Sequence, residues 1–298
     1  MSTNSLTEFP LRKTKFPQET KFPKGNKFPK GKASFPKGKA TLDVPRLFFI
    51  LLAVQFGPVR IGAADPENLS VLLQKADRLD DTDHFLEAIT ILKELEKGEP
   101  RNVEILYRIS RVESDLVEDI SDDAKKKAYS LDSIAYAKRA IESDAQSSDA
   151  HLAAAIAYGV MTDFVDDRTK MEYSKLIKAE VEKAIELDPR NDYAYLVLAR
   201  WNFEMTQLNP ILKGIAELLY GQMPPASQEK ALEDFQKAVD LAPDKIIHHF
   251  CYAEALAKLG RKDEARAEYQ KVLRLTATCK EDRGYQQKAT SSLRTLER

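Results

Sequence analysis

Four positions near the end of the chain recur after a fixed step of 34 residues. The first copy comprises Ala231, Phe235, Ala238 and Leu241, and the second comprises Ala265, Tyr269, Val272 and Leu275. Residues three and four apart lie on one face of a helix. Each copy therefore predicts a helix whose small residues let another helix approach closely.

The same pattern occurs three more times earlier in the chain. The copies are Ala88, Leu92, Leu95 and Pro100; Val181, Ala184, Leu187 and Pro189; and a weaker Ala137, Ala140 and Ser143. Successive copies are 45, 44, 54 and 34 residues apart, so only the last has the 34-residue step typical of tetratricopeptide repeats. We predict an all-α, tetratricopeptide-like solenoid of helical hairpins with insertions, about ten to twelve helices in total. Solenoids of this kind bind partners on an extended concave surface.

The longest insertion spans Thr206–Ser227 and predicts one additional helix. Its apolar positions follow helical spacing: Leu208, Ile211, Leu212, Ile215, Leu218 and Leu219. Pro210 suits a first turn, and Gly221 ends the helix. We expect this helix to pack on the solenoid; the alternatives are a lid over the groove or a surface that contacts a membrane.

The chain divides into three regions by composition. Residues 1–46 carry eleven Lys or Arg and three acids, with Phe-Pro dipeptides between Lys and Gly, and predict a disordered basic arm. That arm either contacts acidic polymers or lipid head groups, or is an inert linker or translated upstream sequence. Residues 65–298 carry 34 Lys or Arg and 44 acids and predict the repeat domain. An acidic body argues against nucleic acid as its main ligand.

Residues 47–64 join these two regions. The apolar run Leu47–Phe56 is too short to span a bilayer, and it lies between Arg46 and the small residues Gly62–Ala64. This order resembles a secretory signal peptide, and an organelle-targeting segment or a short membrane anchor is the alternative. The expected location is secreted, periplasmic or membrane-tethered; cytoplasm, cytoskeleton, spindle or an organelle surface is the alternative.

The sequence contains none of the common catalytic or nucleotide-binding motifs. Four His and two Cys show no metal-ligand spacing, and Cys251 and Cys279 are expected to be reduced, with a disulfide between them as the alternative. We therefore expect a protein without catalytic residues, metal or cofactor.

Several segments together resemble the regulator of microtubule dynamics family. They are Asp149–Gly159, Val181–Met205 with the Arg200-Trp201 pair, the insertion, and Pro224–Pro243. Arg108–Asp119 and Lys125–Glu142 resemble the first half of the same family, and the resemblance covers about Leu69–Arg298. The family implies a non-enzymatic repeat protein; animal members associate with microtubules and spindle poles, and some contact lipid at organelle membranes.

The repeat phase also predicts which side chains line the concave groove. Those chosen as partner-binding candidates are Tyr107, Arg108, Arg111, Leu152, Ile156, Tyr193, Leu196, Arg200 and Phe250. The alternative is that insertions fill the groove and these side chains are core. Three functions stay open: a scaffold for a protein partner such as tubulin, a lipid-binding or lipid-transfer module with an apolar groove, and an exported bacterial-type scaffold with another partner. Membrane contact would come from residues 47–64.

Overall fold

The computed structural model describes residues 66–297. In this range Pro and Gly residues lie mostly between the helices. The regular structure of this repeat body comprises twelve α-helices and one turn of 3₁₀-helix at Thr162–Phe164. The α-helices are α1 Pro66–Asp80, α2 Phe85–Gly98, α3 Val103–Asp119, α4 Asp123–Ser143, α5 Ser148–Met161, α6 Asp167–Leu187, α7 Asp192–Gln207, α8 Pro210–Tyr220, α9 Gln228–Leu241, α10 Ile246–Lys258, α11 Lys262–Arg274 and α12 Lys280–Leu296. The all-α prediction is confirmed. The regions 1–46 and 47–64 lie outside the described residues, and the three-region division stays a prediction.

The helices pack as consecutive antiparallel hairpins. Neighbouring pairs are α1 with α2, α3 with α4, α5 with α6, α7 with α9, and α10 with α11, and α12 follows the last hairpin. The helix α8 is therefore inserted inside the fourth hairpin. The long steps also have a structural basis, because α4 and α6 have 21 residues each, whereas α2 and α9 have 14.

Local sequence fixes where the helices begin and end. Asn102 and Asn191 cap α3 and α7, with side-chain oxygens that accept from backbone N–H groups of the first turn. Asp166 caps α6 in the same way, which lowers the pKa of its carboxyl group through hydrogen bonds from Thr169. Gly260, at φ +76°, makes the tight turn between α10 and α11 that few other residues adopt without strain.

The small residues of the repeat pattern are buried at the helix contacts. Ala88, Ala140, Ala184, Ala238 and Ala265 have no exposed surface. Larger side chains pack between them, such as Leu92 and Phe235, which are also fully buried. The repeat pattern thus marks the inner face of the second helix in each hairpin.

The inserted helix α8 departs from expectation in the direction it faces. Ile211, Leu218 and Leu219 are exposed by 74%, 86% and 59%, so most of the apolar stripe faces solvent rather than the solenoid. Among the described side chains of α8, Ala216 at the edge of this stripe packs against the core. Leu208 before the helix and Met223 after it pack into the same core. The segment is therefore held mainly by its two ends.

Candidate functional site

The first helices of the hairpins contact one another in order, α1 with α3, α3 with α5, α5 with α7, and α7 with α10. They form the surface that the repeat phase predicts to line the groove, and we call it the concave face. Arg108 donates from Nε and Nη2 to the two carboxylate oxygens of Asp77 on α1, at 2.9 and 3.2 Å. Arg111, one turn further along α3, donates from Nε and Nη2 to Oδ2 of Asp80, at 2.9 and 2.6 Å. Asp77 and Asp80 are three residues apart on α1, and Arg108 and Arg111 are three residues apart on α3. Each arginine therefore lies opposite one aspartate. We call these four residues the α1–α3 ion-pair cluster.

The cluster is held rigidly on its α3 side. The guanidinium of Arg108 also donates to the backbone oxygen of Glu104 at 3.0 Å and lies 4.8 Å from the ring centroid of Tyr107. The Tyr107 hydroxyl donates to Glu104 Oε2 at 3.1 Å. Burial raises the pKa of the Asp80 carboxyl group, and Arg111 opposes this rise. Arg111 keeps 37% of its side chain exposed, so the cluster presents a charged edge to solvent.

A second polar group forms where α7 meets α10. Asp192 Oδ2 lies 2.7 Å from Lys245 Nζ and 2.6 Å from His248 Nε2. The Lys245 ammonium lies 4.0 Å from the ring centroid of Tyr193, and the rings of Tyr193 and His248 meet edge to face at 5.2 Å. Burial would raise the pKa of Asp192, but the hydrogen bonds from His248 and Lys245 outweigh it and lower that pKa. We call these four residues the Asp192 cluster.

Charges in each of the two clusters act on a titratable group in or beside the other. The charge of Arg111 acts on the Tyr193 hydroxyl, and the charge of Lys245 acts on Asp81 at the end of α1. Burial raises the pKa of both Tyr193 and Asp81.

The predicted groove residues fall into two groups in the structure. Arg108, Arg111 and Tyr193 belong to the clusters on the concave face, and Tyr107 packs beside them although it is only 7% exposed. The other five are Leu152, Ile156, Leu196, Arg200 and Phe250, which are all at most 9% exposed. Core packing accounts for the apolar members of this second group. Their role in binding stays a prediction.

Asp77, Asp80, Asp192, Lys245 and His248 were not predicted from the sequence. A signal existed for the first two, because Asp77 and Asp80 have the same three-residue spacing as Arg108 and Arg111. The sequence offers no comparable signal for Lys245 and His248, which approach Asp192 only through the packing of α10 on α7.

Three further observations concern metal ions, thiols and membrane-spanning helices. Within residues 66–297, no group of three or more His, Cys, Asp or Glu side chains is placed to hold a metal ion. Cys251 and Cys279 are free thiols, and burial raises the pKa of Cys251 to about 12. No helix of the repeat body is both long enough and apolar enough to cross a membrane.

The sequence of the repeat body matches a known protein family. A family model described as "Regulator of microtubule dynamics protein 1-3" matches residues 72–297. The chain belongs to the regulator of microtubule dynamics family. The match covers every helix from α2 to α12, including the inserted α8.

Curated members of the family are similar over the same part of the chain. Regulator of microtubule dynamics protein 2 of Mus musculus is 28% identical over 232 residues, which are 77% of this chain and 57% of that protein. Regulator of microtubule dynamics protein 3 of Xenopus laevis is 29% identical over 201 residues, which are 64% of this chain and 43% of that protein. The chain thus spans about half the length of these relatives.

A solved structure supports the fold independently. A thermophilic TPR protein of Thermus thermophilus matches 75% of this chain and 98% of its own, with a TM-score of 0.56 and 19% identity. The tetratricopeptide-like assignment made from the 34-residue step is confirmed.

Proposed function

We propose that this protein is a non-enzymatic scaffold that binds a protein partner on the concave face of its repeat body, in the regulation of microtubules. The observation that carries the proposal is the α1–α3 ion-pair cluster, a polar surface that is already ordered before a partner arrives. Preordered side chains lose little conformational entropy on binding, which favours recognition of a protein surface. Family membership supports the setting in microtubule dynamics.

The lipid-binding alternative is less well supported by the geometry. It requires cations that are available to an anionic head group. Arg108 and Arg111 are each paired with a carboxylate of α1, and Arg200 is only 7% exposed. A head group would have to displace Asp77 or Asp80, at a cost in free energy.

Co-sedimentation of the full chain with purified microtubules tests the proposal. The repeat body is acidic and residues 1–46 are basic. Binding through residues 1–46 is therefore electrostatic, and it should weaken between low and high salt because salt screens exposed charges. Binding by the concave face should persist in a fragment of residues 65–298 and fall when Arg111 is changed to Ala. The matched control is Arg266→Ala, which removes an exposed cation on α11. If neither the chain nor the fragment pellets at low salt, direct microtubule binding is wrong.

The location of the protein stays a proposal of its own. Residues 47–64 have the order of a signal peptide, and export would place the body away from cytoplasmic microtubules. N-terminal sequencing of the protein made in its own cell decides this point. A start at Asp65 supports export, and an intact Leu47–Phe56 contradicts it.

A further inference from the structure

The inserted helix α8 has its apolar side turned outward. Spacings of three and four residues place the exposed apolar side chains within about 100° of one another around the helix axis. We call them the outer stripe of α8, and they are Ile211, Ile215, Leu218 and Leu219. The two charged residues of the helix, Lys213 and Glu217, lie on the opposite side and are partly buried. A helix that packs on a protein core normally has the reverse arrangement.

No part of the repeat body covers the outer stripe. Residues on either side of α8 hold the segment, because Leu208 before it and Met223 after it pack into the core. Within the helix, Ala216 packs against the same core. Exposure of large aliphatic side chains to water is unfavourable, so the stripe is stabilised by any apolar surface that covers it.

The size and chemistry of the outer stripe do not suit a protein partner or a second copy of the chain. A stable interface between proteins takes about 20–30 residues from each side. The outer stripe offers a single row of aliphatic side chains on a helix of 11 residues. It also lacks Arg and Trp, which dominate the binding energy of protein interfaces. Acyl chains, in contrast, need neither polar anchors nor a matching shape.

The length of α8 determines how it can contact a bilayer. Its 11 residues extend about 16 Å, whereas the hydrocarbon core of a bilayer is about 30 Å thick. The helix is therefore too short to cross. A short helix with one apolar side instead lies in the plane of the membrane surface, with that side among the acyl chains.

The part of the chain that precedes α1 contains a second apolar segment. Leu47–Phe56 follows Arg46, and one interpretation of this segment is a short membrane anchor. An anchor at this position keeps the repeat body close to the bilayer and raises the effective concentration of lipid at α8. A contact through one short helix then suffices to orient the body on the membrane.

We propose that the outer stripe of α8 inserts into the surface of a lipid membrane, with the helix parallel to the bilayer plane. The stripe contacts acyl chains, and Lys213 and Glu217 stay on the side of the repeat body. This contact needs no anionic head group, which distinguishes it from lipid binding in the concave groove. It goes beyond the proposed protein-binding function and does not depend on it.

Tryptophan fluorescence with phosphatidylcholine vesicles tests the proposal on the full chain. The parent has one tryptophan, Trp201, which is buried and supplies a constant background. Leu218→Trp adds a second one in the outer stripe. Vesicles with brominated acyl chains quench tryptophan on contact, and we expect the emission of the added residue to fall about twofold or more. The control is Leu273→Trp, at an exposed leucine of α11, whose emission should not change.

A charge in the outer stripe provides a second test in the same assay. Ile211→Glu, combined with Leu218→Trp, places a carboxylate beside the probe and should abolish quenching, because a charge does not enter the acyl region. Leu131→Glu in the same background, at an exposed leucine of α4, should leave quenching unchanged. Both are measured at high salt, where binding by the basic residues 1–46 is screened. Leu47–Phe56 is the same in every variant.

Four outcomes overturn the proposal. The first is equal quenching, or none, of the tryptophans placed at positions 218 and 273. The second is quenching that survives Ile211→Glu, which would mean that the added tryptophan itself creates the contact. The third is quenching that requires phosphatidylserine and disappears at high salt, which would mean attraction by residues 1–46 alone. The fourth is a dimer of the parent that Leu218→Glu converts to a monomer in light scattering, because a second copy would then cover the stripe.

Discussion

At the scale of single residues, the body buries charges that its sequence pattern does not reveal. Glu113 has no exposed surface, and its carboxylate lies 2.8 Å from Lys93 Nζ. In the sequence it is one acid among many in a charged helix. Its burial could not be predicted from that pattern, because it depends on how α2 and α4 pack on α3.

The burial of Glu113 leads to a prediction about stability and pH. Burial raises its pKa from 4.5 to about 7, against the opposing effect of Lys93. Between pH 5 and 7 the unfolded chain has already released this proton and the folded chain still holds it. The free energy of unfolding therefore falls as pH rises through this range, by up to about 1.4 kcal/mol per pH unit for one proton. Glu113→Gln should remove this contribution, which urea unfolding at several pH values measures.

The matched control for this experiment is Glu94→Gln. Glu94 pairs with Lys97 on the surface, with 53% of its side chain exposed. This variant should keep the slope of the parent protein between pH 5 and 7. Equal slopes for Glu113→Gln and the parent would show that Glu113 titrates normally.

At the scale of helices, capping and small residues set the boundaries locally, and the sequence predicted those of α8 from Pro210 and Gly221. Asn102, Asn191 and Pro210 mark helix starts, and Gly221 and Gly260 follow helix ends, as their backbone preferences require. The direction of α8 could not be predicted in this way. Its apolar stripe indicates which residues share a face but not which face meets the body, since Leu208 and Met223 on either side hold the segment.

The small residues of the repeat allow a sharper test within one helix. Ala184 in α6 has no exposed surface and lies in the core, whereas Ala179 in the same helix is exposed. Ala184→Leu should lower the free energy of unfolding by about 1–3 kcal/mol, because extra methyl groups do not fit between close helices. Ala179→Leu should change it by less than about 0.5 kcal/mol. Chemical denaturation of both variants measures the difference, and similar values would refute the close-packing role of the repeat alanines.

At the scale of the repeat body, its first and last parts touch. In a simple solenoid each hairpin contacts only its neighbours. Here the backbone N–H of Lys280, in the first turn of α12, donates to Asp83 Oδ2 at 3.0 Å, in the turn between α1 and α2. Lys280 Nζ also lies 3.5 Å from Asp119 at the end of α3. A repeat step does not encode such contacts, and the sequence alone did not predict them.

The contact at Asp83 should stabilise α12 against local opening. An amide at a helix N-terminus lacks a partner within its own helix, so a carboxylate there satisfies it and favours the helix dipole. Asp83→Gly removes this acceptor, and it suits the backbone because Asp83 has φ +64°. We expect amide hydrogens of α12 to exchange severalfold faster in this variant, while those of α5 keep their rates. Mass spectrometry of deuterium uptake measures both helices in one experiment.

Lys280→Ala separates the two interactions at this end of the body. It removes the ammonium that faces Asp119 and keeps the backbone N–H that donates to Asp83. Because both charged side chains are largely exposed, the ion pair contributes little, and exchange in α12 should rise much less than in Asp83→Gly. Unchanged exchange in Asp83→Gly would mean that α12 is held by its packing on α10 and α11, and that the contact between the ends of the body has no influence on its stability.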